Sequence, residues 1–176
     1  MVVESVSDGV FIYENPIDVL TNNPPFPYHF QNICNYLNLT NKEPNGDLTR
    51  TLELKPFSNG AGGIGLPGDY SSASRFVKAA YLLGNSECED TENSCISQFF
   101  HILDSVAHTR GCVIVNNKFE ITVYSSCCNI SKGIYYYKTY ENARITAIDM
   151  HKTDLKSENL IRYPLQTKQD IFTLNH

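Results

Sequence analysis

The chain has 176 residues, 41% of them hydrophobic and 19% charged, with a net charge of −5 and a pI near 5.5. That is enough apolar material for one domain with its own core, read here as residues 1–176. An acidic chain with no Lys/Arg cluster points away from nucleic acid or an anionic membrane as a partner; with no apolar run near the roughly 18 residues of a span and no leader-like N-terminus, the expectation is a cytoplasmic protein.

Val2 to Val6 and Val10 to Tyr13 read as two strands of a hairpin turning at Ser7-Asp8-Gly9. After Asn15-Pro16 comes a short strand, Ile17 to Asn22, stopped by the prolines of Asn23-Pro24-Pro25-Phe26-Pro27. Phe30, Ile33, Cys34 and Leu37 recur at helical spacing, which predicts a helix over Tyr28 to Leu39. Thr40 to Asn59 lacks periodicity and reads as a surface loop, with a short extended piece at Thr51 to Leu54. The following Gly60-Ala61-Gly62-Gly63-Ile64-Gly65 formally fits Gly-x-Gly-x-x-Gly. It lacks both the buried strand before it and the helix opening from it that a dinucleotide site needs.

A helix then starts at about Tyr70 or Ser72, where Asp69, Ser71 and Ser72 can cap its free amides. Phe76, Ala80 and Leu83 form its apolar line, flanked by Val77, Ala79 and Leu82. Arg75 lies at the edge of that stripe and near the positive end of the helix dipole, a locally unfavourable place for a cation. On the helix alone, the plain reading is a packed stem with its head in water. A second helix over Thr91 to His108 carries the stripe Ile96, Phe99, Phe100, Leu103, Val106 and Ala107. His101, Asp104 and His108 share its polar side, which reads as solvated rather than metal-binding because the His-Glu-x-x-His pattern is absent. An antiparallel meander follows: Cys112 to Val115, a turn at Asn116-Asn117, Lys118 to Cys127, Ile134 to Tyr140 and Arg144 to Met150. At least one of Tyr135, Tyr136 and Tyr137 faces the core. The tail is polar, with a weak helical piece at Leu155 to Leu160.

Six cysteines, Cys34, Cys88, Cys95, Cys112, Cys127 and Cys128, contain no Cys-x-x-Cys pair and read as reduced core residues, with no metal or other cofactor expected. Cys127 and Cys128, adjacent in a strand, point to opposite faces.

The run Gly65-Leu66-Pro67-Gly68-Asp69-Tyr70-Ser71-Ser72-Ala73-Ser74-Arg75-Phe76-Val77-Lys78-Ala79-Ala80-Tyr81 resembles the signature of the choloylglycine hydrolases, the bile salt hydrolase and penicillin V acylase family of N-terminal nucleophile enzymes. Three further stretches match in the same order: Asn15-Pro16 through Val19-Leu20-Thr21-Asn22-Asn23-Pro24, then Ser97-Gln98-Phe99-Phe100-His101-Ile102-Leu103, then Tyr124-Ser125-Ser126-Cys127-Cys128 to Gly133-Ile134-Tyr135-Tyr136-Tyr137. The resemblance covers the C-terminal half of the family's length. It implies an α+β fold, part of a four-layer αββα sandwich with antiparallel sheets.

The resemblance further implies a cysteine nucleophile at the processed N-terminus, with its own α-amino group, of pKa about 8, as the base. Position 2 here is Val2 and no cysteine precedes Cys34, so this residue is expected on the other half, as are the family's second arginine, its site aspartate and most of the pocket. Two site residues carry over. Asn22 resembles the oxyanion-hole asparagine, with Asn23 read as structural, and Arg75 resembles the site arginine that favours a thiolate. The implied activity is hydrolysis of conjugated bile salts to release glycine or taurine, with a penicillin V acylase-like amidohydrolase as the alternative and homo-oligomerisation as in the full-length family. Alone, the chain is expected to be inactive. A reading of a different class is a non-catalytic fragment or subunit that works only with a partner chain.

Overall fold

The computed structural model describes residues 1–46 and 48–175, and the chain divides after Glu87 into two compact units. In the first, β1 (Val2–Val6) and β2 (Gly9–Tyr13) form the expected antiparallel hairpin, in register from Val2 opposite Tyr13 to Val6 opposite Gly9. The predicted strand at 17–22 does not form. The Asn15 side chain takes the place of a ladder partner: its Oδ1 accepts from the amides of Ile17 (3.2 Å) and Asp18 (3.1 Å), and its Nδ2 donates to the Val19 carbonyl (3.0 Å). With Asp18 at a φ of 58°, this is a local side-chain turn that satisfies the backbone without a sheet.

The first helix, α1 (Phe26–Asn32), starts inside the proline stretch and tightens into a 3-10 turn over Ile33–Tyr36, so it begins and ends earlier than the periodicity predicts. Pro27 sits in its first turn, where a missing amide hydrogen costs nothing. The Glu4 carboxylate of β1 accepts from the Phe26 amide at 2.9 and 3.1 Å, which caps the helix from the neighbouring hairpin. Among the described residues of 40–59 there is no helix or strand, and no sheet pairing forms at 51–54.

The glycine run after it forms a 3-10 turn at Ala61–Gly63 that packs against the incoming loop. A Cβ at Gly62 would lie 2.1 Å from the Lys42 carbonyl oxygen and 2.5 Å from that of Thr40. Glycine is needed there for close approach of two backbones, not for phosphate.

The second helix, α2 (Ser72–Asn85), begins where the capping residues place it. Ser71 Oγ accepts from the Ser74 amide (3.3 Å), and Asp69 accepts from the Ser71 amide (2.8 Å) and the Ser74 hydroxyl (2.6 Å). Its inward face carries Phe76 and Val77, both fully buried, while Leu83 at the far end of the stripe is 41% exposed. Phe76 joins Val2, Val19 and Phe26 in the unit's core, where each large side chain contributes about 1.5–3 kcal/mol by leaving water.

In the second unit, α3 (Glu92–Ser105) is capped by Thr91, whose side chain accepts from the Ser94 amide. It ends three residues short of the predicted His108. There Val106 and Ala107 make 3-10-type bonds to Leu103 and Asp104, and His108 turns away to bond Thr122. The short strands β3 (Ile114–Val115) and β4 (Lys118–Phe119) join at Asn116 and Asn117, with φ of 49° and 59°, the left-handed hairpin turn read from that pair. The strand expected over 118–127 is interrupted because the Glu120 and Thr122 amides donate to the Val113 and His108 carbonyls instead. The remaining strands, β5 (Tyr124–Asn129), β6 (Ile134–Thr139) and β7 (Asn142–Asp149), make an antiparallel sheet in that order.

Helix α3 packs on β5, with Phe100 buried beneath it. Of the three tyrosines only Tyr137 is buried; Tyr136 donates to Glu92. Residues 155–160 are not helical, and a 3-10 turn forms earlier, at Met150–Lys152. Further on, Gln166 straps the tail to β6 through Thr139 Oγ1 and the Tyr137 hydroxyl.

The cysteines are not core residues. Five are exposed and Cys127 is half-buried; the 3-10 turn that carries Cys34 and the strand that carries Cys127 and Cys128 bury no residue at all. No helix among the described residues is long and apolar enough to cross a membrane.

Candidate active-site residues

Asn22 and Arg75 are 53 positions apart in sequence, and the fold of the first unit brings their side chains into contact. Arg75 Nη2 donates to Asn22 Oδ1 at 2.7 Å, and Arg75 Nε donates to the Tyr70 carbonyl at 3.2 Å. The head group that helix position alone would send into water is thus held by protein at both ends of its fork. Its placement follows from α2: caps at Asp69 and Ser71 fix the first turn, and burial of Phe76 and Val77 fixes the rotation that presents Arg75 toward the 17–22 segment. Among the described residues no carboxylate pairs with it, so its charge is not neutralised locally.

The chemistry of the contact orients the amide. A guanidinium has five N–H donors and no acceptor, so the Asn22 atom facing it is the oxygen. The Nδ2 group therefore points away, a donor with no partner among the described residues and on an exposed side chain. Two of the five guanidinium hydrogens are used, leaving three. What results is a cation and an amide donor side by side, suited to a developing negative oxygen or a thiolate.

The adjoining Thr21 ties this segment down, a feature that motif reading does not reveal. Thr21 Oγ1 donates to the Ser72 carbonyl (3.1 Å) in the first turn of α2, which leaves it to accept from His29 Nε2 (3.3 Å). His29 is fully buried and stacks on Phe76, with ring centroids 4.8 Å apart at 15°. The hydrogen is thereby placed on Nε2, and the buried Nδ1 has no partner. His29 thus lies two contacts from Asn22. The available signal in the sequence was a single polar residue in an otherwise apolar helical face, which is weak. Asn23, next in the chain, makes no hydrogen bond to Arg75 among the described residues; the oxygen that accepts from it belongs to Asn22.

Asp69 shapes the field nearby. Hydrogen bonds from Ser71 and then Ser74 hold its carboxyl at about 2, so it is ionised at the N-terminus of α2, where a negative charge is favoured. The other polar cluster noted in the sequence resolves into structure: Asp104 of α3 pairs with Lys138 of β6, and His101 is exposed.

Residues 1–163 match the model of the linear amide C-N hydrolases, choloylglycine hydrolase family. This chain belongs to the choloylglycine hydrolase family. Among its relatives is a bile salt hydrolase/transferase of Lactiplantibacillus plantarum, 46% identical over 99% of this chain and 54% of the relative. Another of the same description, from Clostridium perfringens, is 40% identical over 93% of this chain and 50% of the relative. This choloylglycine hydrolase chain thus spans about half the length of the curated relatives it matches. In structure it resembles a conjugated bile acid hydrolase variant from Clostridium perfringens, with a TM-score of 0.87 at 35% identity, covering 98% of this chain and 53% of that one. A penicillin V acylase from Agrobacterium tumefaciens shares the fold at a TM-score of 0.65 and 18% identity, over 89% and 44% of the two chains. The choloylglycine hydrolase architecture is accordingly α+β, part of the four-layer αββα sandwich of the N-terminal nucleophile hydrolases.

Proposed function

We propose that this chain is the C-terminal portion of a single choloylglycine hydrolase domain and supplies Asn22 and Arg75 to a site that cleaves the amide of conjugated bile salts, releasing glycine or taurine. The observation that carries the reading is the 2.7 Å contact between Asn22 and Arg75, made by the two residues that the family resemblance singles out. The match to residues 1–163 supports treating both compact units as parts of one domain. The relatives' names support the substrate class, while the likeness to penicillin V acylase carries the fold alone.

In this reading an N-terminal cysteine on the complementary half attacks the amide carbonyl, and its α-amino group passes the proton to the leaving amine. Asn22 Nδ2 donates to the oxygen as it becomes negative. Arg75 fixes the Asn22 amide through its oxygen and stabilises the thiolate with its remaining N–H groups. Water then releases the bile acid from the thioester. No residue of this chain takes the nucleophile's role, so the chain alone is inactive, and the working form pairs it with the complementary half and assembles further into a homo-oligomer. Six free cysteines fit a reducing compartment, in line with a cytoplasmic location.

The test is hydrolysis by the chain folded together with the complementary half. Asn22→Ala is expected to lower kcat by about 100- to 1,000-fold, the loss typical of one oxyanion donor. Unchanged kcat in that variant would remove Asn22 from the site.

A further inference from the structure

Cys88 and Cys95 are brought together by the turn that leads into α3. Their sulfur atoms are 2.8 Å apart and both residues are exposed. The turn is well built. The Thr91 amide donates to the Glu89 carbonyl (2.7 Å), the Glu89 amide to Ser94 Oγ (3.0 Å), and the Cys95 thiol to the same Glu89 carbonyl (3.5 Å). Thr91 caps the helix, which fixes Cys95 in its first turn facing back over the incoming chain. A disulfide has sulfur atoms about 2.0 Å apart, so closure needs only a sub-ångström approach of two side chains on an already folded turn. The other cysteines offer no such pair: Cys127 and Cys128 are neighbours on opposite faces of β5.

We propose that Cys88 and Cys95 form a reversible disulfide, a redox modification site at the entrance to α3 that takes a small disulfide such as glutathione disulfide as its oxidant. One cysteine, as thiolate, attacks a sulfur of glutathione disulfide; a mixed disulfide forms and one glutathione leaves as thiolate and takes up a proton. The second cysteine, as thiolate, attacks the protein-side sulfur and expels the other glutathione. Two protein thiols are oxidised, one glutathione disulfide is reduced to two glutathiones, and the protons balance. Hydrogen bonding with Cys95, then desolvation, then the nearby charges of Cys95 and Asp90 hold the Cys88 thiol above its ordinary range. Exchange therefore quickens as pH rises and more of it ionises.

Closing this loop staples residues 88–95 at the point where Glu92 gathers Asn129 of β5, Lys132 of the following turn and Tyr136 of β6. The oxidised form is the stiffer one at that end of α3. The chemistry involves only these two side chains and holds whether or not the chain serves in amide hydrolysis.

The test uses the reduced 176-residue protein under native conditions, with glutathione disulfide as probe, followed by acid quenching, alkylation and mass spectrometry. No Lys or Arg lies between Lys78 and Arg110, so one tryptic peptide, residues 79–110, carries both cysteines and no other. The expected result is that this peptide becomes two hydrogen atoms lighter, takes no alkyl group, and holds its two pieces together after cleavage at Glu89 or Glu92 until a reductant is added. Alkylatable thiols fall from six to four. In Cys88→Ser the same treatment is expected to leave glutathione on Cys95. The proposal is overturned if both cysteines remain alkylatable, if each carries its own glutathione, or if either bonds to Cys34, Cys112, Cys127 or Cys128 instead.

Discussion

At the scale of the residue, the amide of Asn22 has one orientation available to it because Arg75 can only donate. Replacing Arg75 with Met keeps much of the stem's packing and removes that constraint. The side-chain amide protons of Asn22 are then expected to lose their distinct chemical shifts in a nitrogen-edited NMR spectrum, and persistence of the wild-type shifts would show that something else orients the group. Thr21 offers a second probe. Its hydroxyl links His29 to the Ser72 carbonyl, and Thr21→Val keeps the shape while leaving a half-buried carbonyl and a buried ring nitrogen short of a partner. Such losses cost about 1–3 kcal/mol, to be read as a lower midpoint in urea. Asn22 and Arg75, which meet in the structure, were singled out in the sequence by the family motif, and Arg75 also by its awkward place on the helix. His29 and Thr21 were not, since their link depends on a stacking contact and a carbonyl that no local pattern announces.

The elements differ in how far they could be read. Helix α2 was legible at its start because Asp69 and Ser71 converge on one turn, although Ser72, the third capping residue expected there, has a buried hydroxyl with no partner among the described residues; the hairpins were legible because Ser7-Asp8 and Asn116-Asn117 suit tight turns. The 17–22 segment was not, because Asn15 supplies from its side chain the bonds that a strand would take from a neighbour. Helix α1 starts earlier than its periodicity predicts, where Glu4, more than twenty residues away, accepts from the Phe26 amide.

Helix α2 carries a pH dependence. The folded-state value of Asp69, about 2, lies below its ordinary 3.8. A depressed carboxylate contributes stability that is present above the unfolded value and is lost as pH falls through the folded one. Urea midpoints of the wild type are therefore expected to decline between about pH 4 and pH 2 more steeply than those of Asp69→Asn. Equal slopes would mean that the capping carboxylate is not coupled to folding. For the buried side of the same helix, Phe76→Ala removes a fully buried ring that contacts Phe26 and His29. A loss of about 3–5 kcal/mol is expected from denaturant unfolding.

For the whole molecule, the telling feature is how much apolar surface faces outward. Val10, Phe11 and Ile12 of β2 are 66%, 41% and 66% exposed, and β1–β2 is a sheet of only two strands. Two-stranded sheets with apolar outer faces call for a partner. Sedimentation of the chain alone is expected to show association that grows with concentration, and the complementary half is expected to replace it with a defined complex. A monomer at all concentrations would argue that these faces need no cover.

The most direct measurement is release of glycine or taurine from conjugated bile salts, by the 176-residue chain alone and after refolding with the complementary half of a relative. No turnover is expected from the chain alone and restored turnover from the mixture, with Asn22→Ala and Arg75→Ala each abolishing most of it. Turnover by the chain alone, or restored turnover indifferent to both substitutions, would contradict the proposed function.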